Sequence, residues 1–391
     1  MNSPGDKNSL LRSLSAGDCI AFIGAGFTAP TGMLLWKPLL QKLIDALRDD
    51  PNRAIQEPHS LAILSHAQSC LNEGQFARAA SAIRTADQSH LVDEYLDELF
   101  DANTHFHNKR KTDAGRVEMA ARLEALSSLP WAGVVTTNYD TLVLDSFIHS
   151  KGCKNVCYTP SSGLGPILKS TDRPFFVHLH SNIRTRNLIL TEDDYDQAYL
   201  ASSPVQTFLE ALFLRYTVVF IGTKVEDRFV EMRRQLQLMF GQTESPRKSQ
   251  NVLPPEYVLL PSTDNDRGAY LRSTSGFRTI QYDNKTGQHE GLTPLLNELA
   301  ESVAERKRRG GLLDDVCAKI LKIVSEKPEG YSYSDIRTKF WASFKSSQKH
   351  PANLNDREIG YRLYFLIYQG LVALDEERDV FYSPVARRHL V

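Results

Sequence analysis

Asn138 and Asp140 stand two residues apart in Thr136-Thr137-Asn138-Tyr139-Asp140, and His178 and His180 flank a single leucine in PFFVHLHSN. An amide and a carboxylate at that spacing can face one cleft from the end of a strand, and an imidazole can move a proton near neutral pH. Two histidines on one strand face can also ligate a metal, but no H-E-x-x-H pattern or third ligand accompanies them. Two glycine turns complete the set: Gly24-Ala25-Gly26-Phe27-Thr28 and Gly222-Thr223. Glycine there lets the backbone approach a pyrophosphate, whose charge exposed amides can hold. Taken singly, each fragment is equally an ordinary turn or cap, and either histidine an ordinary core residue.

The elements that must position these groups alternate. CIAFIG, WAGVVTTN, PFFVHLH, YTVVFIG, YVLLP and RTIQY are short apolar or β-branched runs that end in glycine or polar residues, the pattern of buried strands. Amphipathic stretches such as SPVQTFLEALFLRY and DRFVEMRRQLQLMF lie between them. Strand and helix in alternation predict an α/β fold, a Rossmann-like parallel sheet that binds ligands beyond its carboxyl ends. Apolar residues spaced by three and four over about residues 37–130 predict a helical insertion that caps the pocket or builds an interface. Thr28 or Thr31 is a candidate cap for the segment after the first glycine turn. Residues 241–256 are polar and proline-rich, a loop. Gly310-Gly311 marks a boundary between a catalytic domain, 1–309, and a tail, 310–391. The tail reads as three helices and a hairpin, a winged-helix-like domain. Its third helix, NDREIGYRLYFLIYQ, is largely apolar with two arginines, which favours a protein interface over DNA contact.

Lys+Arg number 46 against 47 Asp+Glu, a net charge of −1, so the chain is not built chiefly to coat nucleic acid or anionic membrane. No apolar run reaches the roughly 18–20 residues of a membrane span, and the N-terminus lacks an apolar signal core. Five scattered cysteines, an odd number, point to reduced thiols and a cytoplasmic location. Cys153 and Cys157 have no second pair to complete a zinc site, so no zinc is expected.

In this order, the glycine loop, TTNYD, HLH and FIGT resemble the sirtuin-like family, over roughly residues 15–300. GAGFTAPTGMLLWKPLL is similar to the variant glycine loop of its prokaryotic members. The resemblance implies NAD as the substrate. Gly24, Ala25, Gly26 and Thr28 would then contact the diphosphate, and Gly222 and Thr223 the phosphates and adenosine ribose. Asn138 would orient the nicotinamide ribose and a water, Asp140 would bind the carboxamide, and His180 would be the catalytic histidine. Ser181 stands where the family has glycine, and Thr28 and Lys224 where it has serine. The zinc module of protein deacylases is missing, and the cofactor-loop arginine has no counterpart. These departures fit the subgroup that hydrolyses NAD in antiphage defence. Rival implications are an NAD-dependent protein deacylase or a non-catalytic NAD or ADP-ribose sensor. Membership would also imply a homo-oligomer and a partner ATPase of the HerA type.

Overall fold

The computed structural model describes residues 4–49, 58–87, 91–100, 114–151, 157–160, 163–165, 167, 174–199, 203–223, 225–240, 253–285, 289–327, 329–343, 356, 359–360, 362–363, 366, 372–375 and 378–382. They divide into two compact units, Met1–Val303 and Ala304–Val391.

The first unit is built on seven parallel strands: β1 (Cys19–Ile23), β2 (Gly133–Thr136), β3 (Cys157–Tyr158), β4 (Phe175–His178), β5 (Thr217–Ile221), β6 (Tyr257–Pro261) and β7 (Arg278–Tyr282), in the order β3-β4-β2-β1-β5-β6-β7. All six strands expected from sequence are present. The two-residue β3 was not anticipated. Side chains alternate between two apolar layers, as period-2 geometry requires. Cys19, Ala21 and Ile23 enter one layer, and Ile20 and Phe22 the other. The first layer is closed by α1 (Pro4–Ala16), α6 (Ala114–Ser128), α7 (Leu142–Lys151) and the start of α12 (Leu292–Ser325). The second is closed by α9 (Pro204–Arg215), α10 (Asp227–Phe240) and α11 (Asn265–Ser275). This Rossmann-like sheet reverses its winding between β1 and β5, the place where such sheets open a crevice.

The helical stretch expected over 37–130 divides in two. Helices α2 (Trp36–Asp49), α3 (Pro58–Asn72), α4 (Phe76–Ala86) and α5 (Leu91–Phe100) form a separate apolar cluster with Tyr139, Leu142 and Leu190. Helix α6 instead buries Met119, Leu123 and Leu126 in the sheet layer. A short helix, α8 (Glu192–Tyr199), packs against α4. Neither Thr28 nor Thr31 caps α2: 3-10 turns occupy Ala25–Phe27 and Ala29–Thr31, and the Thr31 hydroxyl donates to the Thr28 carbonyl at 2.7 Å.

In the second unit, α13 (Tyr333–Ala342) is capped by Ser332, whose hydroxyl accepts from the Asp335 amide at 3.2 Å. Strands β8 (Ala373–Asp375) and β9 (Val380–Tyr382) pair antiparallel. Ile320, Val324, Ile336, Phe340, Ile359, Leu363 and Phe381 share its core. Most of the expected third helix lies outside the described residues, as do residues 241–252 of the predicted loop, Lys224, Cys153 and the Cys157 side chain. The helix break expected at Gly310-Gly311 is absent, because α12 continues through both glycines. Among the described residues no helix is long and apolar enough to cross a membrane.

One buried cation fastens the first glycine turn. Arg122 of α6 is fully buried. Its guanidinium donates to the carbonyls of Phe27 and His289, both at 2.9 Å, to the Thr293 hydroxyl at 3.1 Å and to Glu118 at 3.2 Å. Removing it strands the buried Phe27 carbonyl and the half-buried His289 carbonyl. Arg122→Met is expected to lower stability by about 3 kcal/mol or more, read by urea denaturation. A loss under about 0.5 kcal/mol, the size of a surface substitution, would show that the fold does not depend on this anchor.

Candidate active site

The strand register sets the site. Ile23 pairs with Thr136 and with Ile221, and Thr136 pairs with His178. Four neighbouring strands therefore end in one row, and the chain leaves each at the same edge. Gly24, Asn138, His180 and Gly222 follow that row within two residues. All of them line one cavity of about 890 Å³, together with Ala25, Gly26, Thr28, Asp140 and Thr223. The structure thus brings every sequence-predicted site residue to a single cleft. Its volume is at the upper end of the roughly 300–1,000 Å³ usual for small-molecule and cofactor sites.

The glycines have a packing role visible in the loops themselves. The amide of Gly24 donates to the Ile221 carbonyl at 3.0 Å and that of Gly26 to the Gly222 carbonyl at 2.8 Å. A Cβ on Gly26 would stand 2.8 Å from that same carbonyl oxygen, and one on Gly222, which has φ +66°, would run into the Phe27 amide. The loops after β1 and β5 interlock only because side chains are absent there.

The polar groups form a connected set. The Thr28 hydroxyl accepts from Asn138 Nδ2 at 3.4 Å and faces Asp140 Oδ2 at 3.4 Å and the Ala25 carbonyl at 3.3 Å. Asp140 Oδ1 accepts from the Leu142 amide at 3.1 Å. The Thr136 hydroxyl donates to the Ile23 carbonyl at 2.9 Å and accepts from the Asn138 amide at 3.0 Å, tying Asn138 to the strand row. Asn138 Oδ1 is buried without a hydrogen-bond partner. A bare amide oxygen facing a cleft is costly unless a ligand donates to it.

The two histidines have separate surroundings. His178 is buried, and its Nδ1–H donates to the Asn138 carbonyl at 3.0 Å. Burial pushes it down to about 4, so it stays neutral. His180 lines the cavity, with Nε2 2.8 Å from the Tyr199 hydroxyl and Nδ1 3.4 Å from that of Tyr195. Burial, aided by the nearby Arg228 charge, pushes it down to about 3. Among the described residues no group of three metal-ligating side chains occurs.

Ser181, immediately after His180, has φ +61°, and Arg186 and Asn187 have φ +58° and +50°. The left-handed turn at Ser181 is a conformation that glycine adopts freely.

Sequence reasoning missed the aromatic wall beside His180. Tyr195 and Tyr199 stack at 6.0 Å, and the Arg228 guanidinium lies 4.9 Å and 4.3 Å from their ring centres. Trp36 packs on Tyr195 at 6.1 Å and on Phe76 at 6.3 Å. The i, i+4 spacing of the tyrosines puts them on one helix face, but nothing in EDDYDQAY says which face meets the cleft.

A Rossmann-like sheet with interlocked glycine loops and an amide–imidazole pair beyond its central strands defines a nucleotide-site architecture. Residues 132–280 match the family model for the SIR2-like domain, a stretch that holds Asn138, Asp140, His180, Gly222 and Thr223. Residues 132–280 are therefore a SIR2-like domain, of a family that binds NAD. No curated protein matches the chain.

Burial pushes the Asp140 carboxyl up to about 6, against the hydrogen bonds from Leu142 and Thr28. The unfolded value is about 3.9. Between the two, the folded chain keeps a proton that the unfolded chain has released. This group's contribution is therefore full below about pH 4 and is lost as pH rises through about 6. Relative to wild type, Asp140→Asn is expected to gain on the order of 2 kcal/mol between about pH 4 and about pH 7.5. Denaturation at both pH values measures this, and a pH-independent difference would contradict it.

Proposed function

We propose that the protein hydrolyses the nicotinamide–ribose bond of NAD. The observation that carries this reading is the unpaired, buried Oδ1 of Asn138 sharing one cavity with His180. In the reaction the C1′–N bond breaks and its electron pair leaves with nicotinamide, while positive charge develops on the ribose ring, as in glycoside cleavage. Water then adds to C1′ and loses one proton. Asn138 cannot ionise, so its Oδ1 orients a ribose hydroxyl or that water. Asp140, two residues on, holds the carboxamide that carries the leaving nitrogen. His180 is neutral at pH 7 and offers a lone pair to the released proton. Its depressed basicity suits a late transfer, since an oxocarbenium-like ring demands little help from the attacking water. The interlocked glycine loops bring backbone close to the diphosphate.

The same reading takes the enzyme as an antiphage effector that depletes NAD, acting as a homo-oligomer with a partner ATPase of the HerA type. Its support is the resemblance of the sequence to that subgroup. A sensor that binds NAD without cleaving it is the competing case.

Purified full-length protein is expected to release nicotinamide from NAD, and His180→Ala to slow release by about 10²–10⁴-fold while remaining folded and still binding NAD. Calorimetric binding of NAD by the wild type without nicotinamide release would favour the sensor. Equal consumption by wild type and His180→Ala would remove His180 from the mechanism.

A further inference from the structure

The resting state of His180 is unusual for a proposed base, because both ring nitrogens already face a hydroxyl. A neutral imidazole carries one N–H and one lone pair, and the partner of one nitrogen decides which form the ring takes. The two partners here differ. Tyr199 is close, 2.8 Å from Nε2, and does not line the cavity. Tyr195 is distant, 3.4 Å from Nδ1, and does line it. Arg228, which lines the cavity and is paired with Glu226 at 2.7 Å, lies over both rings. Tyr195 also packs against Trp36. The ionisable groups facing the imidazole are thus Tyr195 and Tyr199 from α8 and Arg228 from α10, with Glu226 beyond.

We infer that Tyr199 is a positioning residue that fixes His180 in the Nε2–H tautomer, leaving the Nδ1 lone pair toward the cavity, where the Tyr195 hydroxyl occupies the place of a substrate hydroxyl or water. In this arrangement Nε2–H donates to Tyr199 Oη and Nδ1 accepts from Tyr195 O–H. Arriving substrate exchanges the longer bond and leaves the shorter one intact. The proton taken during the reaction lands on Nδ1, and the Tyr199 oxygen stabilises the imidazolium through Nε2–H. Arg228 acts oppositely: its charge adds to burial in disfavouring the imidazolium. The inference rests on the NAD-cleaving reading for its kinetics, but the tautomer is a property of the protein without substrate.

Two isosteric variants separate the tyrosines while preserving the rings under Arg228. Tyr199→Phe is expected to lower kcat about 10-fold, the size of one hydrogen bond lost at the transition state, with KM little changed. Tyr195→Phe is expected to lower KM, because the hydroxyl it loses competes with substrate. Nitrogen NMR of 15N-histidine-labelled full-length protein, with the His180 signal assigned through His180→Ala, is expected to show Nε2–H in the wild type and a shift toward the other tautomer in Tyr199→Phe. An Nδ1–H ring in the wild type, a tautomer unmoved by Tyr199→Phe, or a fully active Tyr199→Phe enzyme overturns the assignment. Absence of NAD cleavage by the wild type would instead count against the function, and the NMR result would still decide the tautomer.

Discussion

Ile23, Thr136, His178 and Ile221 form a row across four parallel strands, and everything in the cleft is placed relative to that row. Parallel pairing is demanding in this respect. A one-residue slip of β2 would turn its whole pattern to the opposite face and carry Asn138 out of alignment with Gly24. The row is held by backbone hydrogen bonds, by the two apolar layers that sort alternate side chains, and by the Thr136 hydroxyl, which bridges the ends of β1 and β2. The site is thus a property of the sheet, while the loops add only short, closely fastened extensions.

Those extensions concentrate groups that a protein interior disfavours. An amide oxygen lacks a partner, a carboxyl is pushed toward its neutral form, and two imidazoles are kept from charging. Each shift has burial as its leading cause, and burial here is produced jointly by the sheet edge and by the helices over it. Trp36 comes from α2, Phe76 from α4, and Tyr195 and Tyr199 from α8. The helices of the cap therefore do electrostatic work on the site as well as enclosing it. Desolvation makes the remaining polar contacts stronger and the unmade ones more costly.

Much of this was legible in the sequence, for physical reasons that differ by element. Five of the six longer strands are four- or five-residue, largely apolar runs closed by glycine or polar residues, a signature that does not depend on tertiary partners, while RTIQY carries a weaker form of it. The chemical residues were readable because they sit at those strand ends. The failures are tertiary. Helix α6 has the same apolar spacing as the cap helices, yet it packs on the sheet, and periodicity cannot name a partner. Strand β3 is too short to alternate visibly. The glycine pair in α12 costs helix stability, about 1 kcal/mol per glycine relative to alanine, but it does not end the helix. Most consequential was α8, whose acidic EDDYDQAY suggests a solvated segment. Its two tyrosines reach His180 only because the chain between them turns back.

That turn has its own consequence. Between His180 and α8 the backbone passes through left-handed conformations at Ser181, Arg186 and Asn187, which cost Ser and Arg roughly 1–2 kcal/mol each and Asn less. Local hydrogen bonds offset that cost: the amides of Thr185 and Arg186 donate to the Asn182 carbonyl at 3.1 Å and 2.9 Å, and the Ile189 amide donates to the His180 carbonyl at 3.2 Å. The connector is thus a compact loop closed on its own backbone, and its shape sets where α8 begins relative to the imidazole.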